Sequence, residues 1–331
     1  VKAALLFGVN DLRHVSVAPP QLTADDVLVR VHACGVCPTD LRKFRTGDGG
    51  TLNLPMNLGH EWVGTVVGVG RNVRDFATGM RVVGDTYNGY AEYALLSAQD
   101  RARSFPFGPL KIPDTVCDEE LTFVEPLADC LHALCDQAQL TPGQTVVVCG
   151  AGQMGLQLVA VAKWLGAHVL VSEPQELRRA LAREWGADHV LDPNQQEVIR
   201  AVRALTEGRG ADVVILAIGI PSLVNDALAM VRARGRVVLF AGFARPAKVE
   251  IDPNRLHYDE IVLTGSEWIG APPHHQPLWY QQAVDLIAQK IIPVDKLITH
   301  RFTLEEIAHA FAKAADPRAL KVIVQMNYAE H

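Results

Sequence analysis

The chain has 331 residues, which suits about two domains, because single cores stop growing at roughly 250–300 residues. Hydrophobic residues make up 49% and charged residues 21%, an ordinary globular balance, and the net charge of −6 without a block of Lys and Arg offers no surface for a nucleic-acid backbone. No apolar run approaches the roughly 20 residues that span a bilayer, and six cysteines spread over so long a chain do not make a secreted disulfide scaffold.

The first seven residues, Val1 to Phe7, read as a strand opening and lack the longer apolar stretch of a signal peptide, so a cytoplasmic protein is expected. Short β-type runs separated by Gly/Pro turns follow, at Lys2–Phe7, Val27–Val31, Val63–Val69, Arg81–Val83 and Tyr90–Leu95. They predict a partly open, barrel-like antiparallel domain. One short helix, Pro38–Phe44, follows Cys37.

Near residue 140 the pattern changes to strand–helix–strand. Strands are predicted at Thr145–Cys149, His168–Val171, Val190–Leu191, Asp212–Ala217, Arg236–Phe240 and Ile261–Leu263. Helices fit at 153–165, 175–185, 195–206 and 221–232. Short, continuously apolar, Val-rich strands with helical crossovers predict a doubly wound parallel sheet covered on both faces. Helices at Pro277–Gln289 and Leu304–Ala315 and a strand at Leu320–Met326 follow, and that strand is expected to return to the first domain. The predicted boundaries are therefore 1–138 with 277–331 for a discontinuous β-rich domain, and 139–276 for the nucleotide-binding domain.

Gly150-Ala151-Gly152-Gln153-Met154-Gly155 follows a predicted strand and opens a predicted helix, the context in which a GxGxxG run binds a dinucleotide. Gly150 permits the tight turn, Gly152 lets the pyrophosphate approach, and Gly155 lets the helix pack on the strand, with Met154 inside the run. The phosphates would rest on the helix N-terminus. Glu173 ends the second strand at the spacing of the acidic residue that accepts the ribose hydroxyls. It would repel a 2′-phosphate, which favours NAD over NADP. Arg178 and Arg179 stand against that preference unless they line a solvated helix face.

The first domain holds Cys34-Gly35-Val36-Cys37-Pro38-Thr39-Asp40 and Leu58-Gly59-His60-Glu61. Thiolate, imidazole and carboxylate are zinc ligands, and three of them leave a position open for water or substrate. Other readings compete. Cys34 and Cys37 form a CxxC that redox proteins also use, but the thioredoxin βαβ pattern is missing. His60-Glu61 begins a zinc-protease motif, but Gly64 stands where its second His belongs. Cys37 and His60 could also be plain buried residues.

Taken together, these segments resemble the zinc-containing medium-chain dehydrogenase/reductase family. Gly59-His60-Glu61 with Gly64, Gly70 and Val73 matches its zinc signature, and Cys37-Pro38-Thr39-Asp40 matches its ligand segment. Glu125-Pro126-Leu127-Ala128, Ile298-Thr299-His300-Arg301-Phe302 and Leu320-Lys321-Val322 resemble the polyol, sorbitol-type branch, so the likeness spans the chain. It implies a GroES-like catalytic domain joined to a Rossmann domain, and a homodimer or homotetramer acting on a small alcohol or ketone. It implies catalytic zinc on Cys37 and His60, with Glu125 where other members have a second cysteine and Glu61 able to ligate. Thr39 would take the substrate hydroxyl proton and Asp40 would orient a ligand. The substrate classes implied are polyols, aminocyclitols, vicinal diols and hydroxy amino acids. A zinc-free enone or quinone reductase and a non-catalytic nucleotide-binding protein share the fold and are the rival readings.

The chain departs from that family at three places. Residues 81–93 carry no cysteine, so the lobe that holds a structural zinc is expected to be absent and one zinc per subunit follows. Arg42 replaces a relay histidine, and an arginine that stays protonated cannot relay in the same way. Met80 replaces the Asp of a Gly-Asp-Arg-Val turn. The loops near Ala217–Ile220, Ala241–Phe243 and Ser266–Ile269 are expected to meet the nicotinamide. Phe44, Tyr90 and Trp268 are candidates either for the pocket or for the core.

Overall fold

The structure is a computed structural model, and it describes residues 1–104, 109–244, 246–267 and 276–328. Trp268 and Ile269 lie outside the described residues. The chain divides into two compact units, Val1–Ala128 with Ala271–His331, and Asp129–Gly270. The first division falls inside the helix Val124–Leu131, ahead of the expected boundary after residue 138. Among the described residues no helix is long and apolar enough to cross a membrane.

The discontinuous unit is built on the strand Val27–Gly35, which pairs antiparallel with Glu61–Val69 and with Tyr93–Leu96. Its alternating residues Val27, Val29, Val31 and Ala33 are buried, the period-two pattern of a strand with one face on a core. Arg81–Gly84 extends the sheet beyond Glu61–Val69. The last strand, Lys321–Gln325, pairs antiparallel with residues 33–35, so the chain does return to this unit. One pairing departs from the expected antiparallel pattern. Ile298–Thr303 lies parallel to Lys321–Gln325, joined to it through the helix Ile307–Ala314. That is the crossover a parallel pair requires. A second, three-stranded sheet is formed by Lys2–Gly8, Asp11–Ser16 and Met56–Asn57. The core centres on Trp62, Tyr90, Phe311, Leu6 and Leu58. Both aromatic candidates described belong to it. Tyr90 is fully buried, and Phe44 packs edge-on against Phe311 at 5.3 Å.

The second unit is a six-stranded parallel sheet. In spatial order its strands are His189–Leu191, His168–Ser172, Thr145–Cys149, Ala211–Leu216, Val231–Leu239 and Val262–Gly265. The order reverses at Thr145–Cys149, and a ligand in such a sheet sits at the carboxyl end of that strand. Crossover helices Gln153–Trp164, Glu176–Glu184, Val198–Leu205 and Leu223–Met230 match the expected positions. Val231 and Arg232, expected to close the last of these, belong instead to the following strand, where Val231 pairs with Ala211. The Val124–Leu131 helix continues as a π-helical turn, His132–Gln137, not apparent from sequence because one extra residue per turn leaves no periodic trace.

Candidate metal centre and dinucleotide turn

Cys37 stands between the strand Val27–Gly35 and the helix Pro38–Thr46, where it is the residue that begins the helix. Pro38 fits the first helical position, since its missing N–H would have no partner there. The turn brings Asp40 back beneath Cys37, whose N–H donates to Asp40 Oδ2 at 3.4 Å. His60 and Glu61 enter from the other side, at the start of the neighbouring strand Glu61–Val69. Because Glu61 pairs with Gly35, the two segments meet across the sheet, and Cys37, His60 and Glu61 place ligand atoms within 4.8 Å of one another.

Asp40 is the support of this cluster. It is fully buried and accepts from the Tyr90 hydroxyl at 2.8 Å and the Gly59 N–H at 3.3 Å. His60 Nδ1 lies 3.5 Å from Asp40 Oδ1, leaving the other ring nitrogen for a ligand. Burial works against the charge on Asp40, but His60, Tyr90 and Gly59 outweigh it and hold the carboxyl below its usual range. Burial likewise opposes the charge on His60, yet Cys37 and Asp40 raise its pKa well above the usual value. The Cys37 thiol is pushed up, first by burial and then by the charge of Glu61.

Glu61 is only 1% exposed, and its Oε2 accepts from Lys321, which is itself fully buried and lies 4.9 Å from the Phe123 ring centre. Gly35 makes room for this pair: a Cβ there would lie 2.5 Å from both Glu61 Oε2 and Lys321 Cε. The other oxygen, Glu61 Oε1, is buried with no hydrogen-bond partner. An orphaned buried acceptor beside a thiol and an imidazole is what a cation would satisfy, so the donor set fits zinc. No second group of this kind occurs among the described residues.

Glu125 is not in the tight cluster. It projects from Val124–Leu131, which follows the short helix Asp118–Leu121. That short helix is tied down on each of its acidic residues. Asp118 accepts from Arg81 at 2.5 Å and contacts His32 at 2.6 Å, Glu119 takes both arms of Arg301 at 2.7 Å, and Glu120 pairs with Lys290. Burial pushes the Glu125 carboxyl up to about 8; His60 and Lys321 oppose the shift, while Glu61 and Asp85 add to it. Those influences place Glu125 in the electrostatic field of the cluster without bringing it to the same ligand spacing.

The remaining candidates are distributed as follows. Thr39 is half-buried, and its hydroxyl is engaged by no described residue. Cys34 is fully buried against Gly59 and Gly89, and it forms no disulfide. Arg42 turns away to Asp48, at 3.1 Å. Met80 has a local explanation: its sulfur accepts the Ala77 N–H at 3.3 Å, the turn-closing role an aspartate oxygen can fill.

At the dinucleotide turn the geometry is local. Gly150 has φ +100°, a region that favours glycine. A Cβ on Gly155 would overlap the Gly150 carbonyl oxygen, so the helix can approach only without a side chain there. A Cβ on Gly152 would meet nothing nearer than Arg178 Nη1 at 3.9 Å. The cradle above Gly152 is therefore open, at the N-terminus of Gln153–Trp164, and it fits a pyrophosphate. Met154 contributes its carbonyl, which accepts from Cys130 Sγ at 3.8 Å. Glu173 is 3% exposed and accepts the Ala151 N–H at 2.8 Å and the Gln175 N–H at 2.9 Å, so its carboxylate braces the turn. Arg179 is neither solvated nor free for a phosphate. It is buried against Asp192 at 2.9 Å and Glu176 at 2.6 Å, and it donates to the Glu173 and Pro174 carbonyls.

Two residues take roles here that the sequence did not assign them: Lys321, there only part of a tail motif, is the partner of Glu61, and Tyr90, there a candidate for pocket or core, is the donor to Asp40. A lysine inside the apolar run Leu320–Val324 was a signal, because a strand buried on both faces rarely carries an unpaired charge.

Comparison with known proteins agrees with this architecture. Residues 23–107 match the alcohol dehydrogenase GroES-like domain and residues 153–289 match the zinc-binding dehydrogenase domain. The sorbitol dehydrogenase of Bombyx mori is 31% identical over 353 residues, covering 98% of each chain. The D-arabitol-phosphate dehydrogenase of Enterococcus avium is 29% identical over 346 residues, covering 98% of this chain and 96% of its own. A solved structure from Sinorhizobium meliloti 1021, described as a zinc-binding dehydrogenase bound to NADP, superposes with a TM-score of 0.85 at 30% identity over 98% of each chain. Whole-length relatives, both domain matches and the ligand cluster lead to one conclusion: the chain belongs to the zinc-containing medium-chain dehydrogenase/reductase family, in its polyol dehydrogenase branch, and is an alcohol oxidoreductase.

Proposed function

We propose that this enzyme transfers hydride between NAD(H) and a secondary alcohol/ketone pair, with one zinc per chain held by Cys37, His60 and a glutamate. The candidate substrates are polyols, aminocyclitols, vicinal diols and hydroxy amino acids. The observation that carries the reading is the cluster of thiol, imidazole and carboxylate within 4.8 Å, with Asp40 behind the imidazole. Glu61 is the glutamate nearest at hand, and Glu125 is the alternative.

Bound there, zinc would supply Lewis acidity that lowers an alcohol's pKa, and the nicotinamide would supply the hydride acceptor. The chain's own residues do the rest. Thr39, in the first turn after Cys37, accepts the hydrogen bond of the substrate hydroxyl and takes its proton onward. Asp40 stands 3.5 Å behind the His60 ring, placed to orient it, and is itself fixed by Tyr90 and Gly59. Lys321 holds one Glu61 oxygen, which leaves the other for the metal. The absence of cysteine from residues 81–93 supports a single zinc.

NAD is favoured because Glu173 places a buried carboxylate at the end of the second strand of this unit. One observation favours NADP instead: the Sinorhizobium relative is bound to NADP, and Arg178, whose Nη1 lies 3.9 Å from where a Gly152 Cβ would stand, is a cation that a cofactor phosphate could meet. The test is a panel of polyols and simple secondary alcohols on zinc-loaded protein, with NAD and NADP compared. Oxidation of a polyol with NAD, lost on chelation and restored by zinc, is the expected result. Zinc-loaded protein inert towards every alcohol with both cofactors would overturn the reading. The assembly is expected to be a dimer or tetramer, which sedimentation would report.

A further inference from the structure

The helix Pro38–Thr46 carries Arg42, Lys43 and Arg45 directly after Cys37. Arg42 is paired with Asp48. Lys43 is half-buried and has no acidic partner among the described residues. Its ammonium instead donates to the Tyr87 hydroxyl and lies 4.0 Å from the centre of the Tyr87 ring. Tyr87 in turn sets its ring edgewise against His60, with centres 5.5 Å apart. The ammonium is thus one side chain removed from a candidate metal ligand.

The hydrogen-bond polarity of this arrangement is one-sided. An ammonium has three donors and no acceptor, and one donor goes to Tyr87. The Tyr87 oxygen is occupied as acceptor, so its own proton points elsewhere, and no described residue receives it. Two N–H bonds and one O–H bond are left, all donors, around a positive charge that has no anion beside it among the described residues. A half-buried charge without a partner is costly unless a ligand supplies one. Three donors around a cation match the three terminal oxygens of a phosphate monoester better than the two of a carboxylate.

We propose that Lys43 and Tyr87 form a phosphate-binding subsite beside the metal centre, and that the preferred substrate is a polyol phosphate. An alcohol carbon held near His60, with its phosphate a few carbons further along, would span the interval that Tyr87 bridges. The inference rests on the polyol dehydrogenase reading above and names its substrate class.

The test uses the zinc-loaded full chain with ribitol and ribitol 5-phosphate, and with D-sorbitol and D-sorbitol 6-phosphate. Ribonate serves as a carboxylate arm. Wild type should favour the phosphorylated member of each pair by about tenfold or more in kcat/KM, the effect of a charged hydrogen bond. Lys43→Gln should lower that preference about tenfold, chiefly through KM, Tyr87→Phe about threefold, and Lys43→Arg should keep part of it. Equal rates on both members in wild type, or equal losses on both in Lys43→Gln, would overturn it. So would a loss confined to KM for NAD, which would assign the lysine to the cofactor pyrophosphate, or a stronger preference for ribonate. Calorimetric binding of ribitol 5-phosphate separates this inference from its premise. If no alcohol is oxidised, the dehydrogenase reading fails, while binding that Lys43→Gln abolishes still supports the subsite and no binding to wild type rejects it.

Discussion

At the Gly150–Gly155 turn, the groups that would meet a ligand are backbone N–H bonds gathered within one short run, and the buried carboxylate of Glu173 braces them. Around His60 they are side chains drawn from three distant segments, at residues 37–40, 60–61 and 321, with the Tyr90 hydroxyl beneath. The turn needs open space and the absence of Cβ atoms. The cluster needs several charges held out of water, each kept by another. A backbone site tolerates change wherever nothing is packed against it, whereas a network of buried charges fails when any one partner is removed. The two regions should therefore respond differently to single substitutions.

The largest effect is expected at Lys321. Changing it to Met leaves the Glu61 carboxylate buried without its cation, which should cost about 3–5 kcal/mol of stability in the metal-free protein. Urea denaturation measures this, and the double change with Glu61→Gln should recover part of the loss. Full stability in the single variant would mean that the network carries no weight.

The glycine turn offers an internal contrast. Gly155→Ala forces a Cβ into the Gly150 carbonyl and should destabilise the second unit by about 1–3 kcal/mol. Gly152→Ala should fold as the parent does, since its Cβ has open space, yet bind NAD about tenfold more weakly. Thermal melts with and without NAD read both. Equal behaviour of the two variants would contradict the assignment of separate roles.

The sequence made these regions legible to different degrees. The dinucleotide turn could be read almost completely, because each glycine acts on neighbours a few residues away and the strand and helix that flank it have strong patterns. Cys37, His60 and Asp40 were legible as a motif, but the spatial reason for them was not. Tyr90, which holds Asp40, and Lys321, which holds Glu61, come from far along the chain; the lysine in its apolar run signalled a buried charge, but nothing local named its partner. Arg179 shows the same limit: on a helix face it resembles a solvated residue, and only the fold brings Asp192 to it. The parallel strand Ile298–Thr303 was obscured because a half-buried strand of mixed polarity, with His and Arg, lacks clean alternation.

The pH dependence of zinc affinity sharpens the comparison further, because only the charge cluster should show it. In the metal-free protein burial pushes the Cys37 thiol up, and the charges of Cys37 and Asp40 raise the His60 pKa against burial, so the pair holds protons that zinc must displace. Affinity should therefore climb with pH, by up to about a hundredfold per unit where two protons leave. Glu125, with its carboxyl at about 8, would release a third proton if it ligates, and Glu125→Gln would remove that extra steepness. An affinity independent of pH would contradict the protonation states given to the cluster. The smallest effect is expected from Tyr90→Phe, which removes one donor from Asp40 and should cost about 1–2 kcal/mol of stability, readable by the same urea melts.

The central claim, that Cys37 and His60 hold the single catalytic zinc, is tested most directly by zinc content combined with X-ray absorption at the zinc edge, on wild type and on Cys37→Ser. One zinc per chain with a single sulfur ligand, lost or stripped of sulfur in the variant, is the predicted result. Two zincs per chain, or an unchanged sulfur signal in Cys37→Ser, would contradict it.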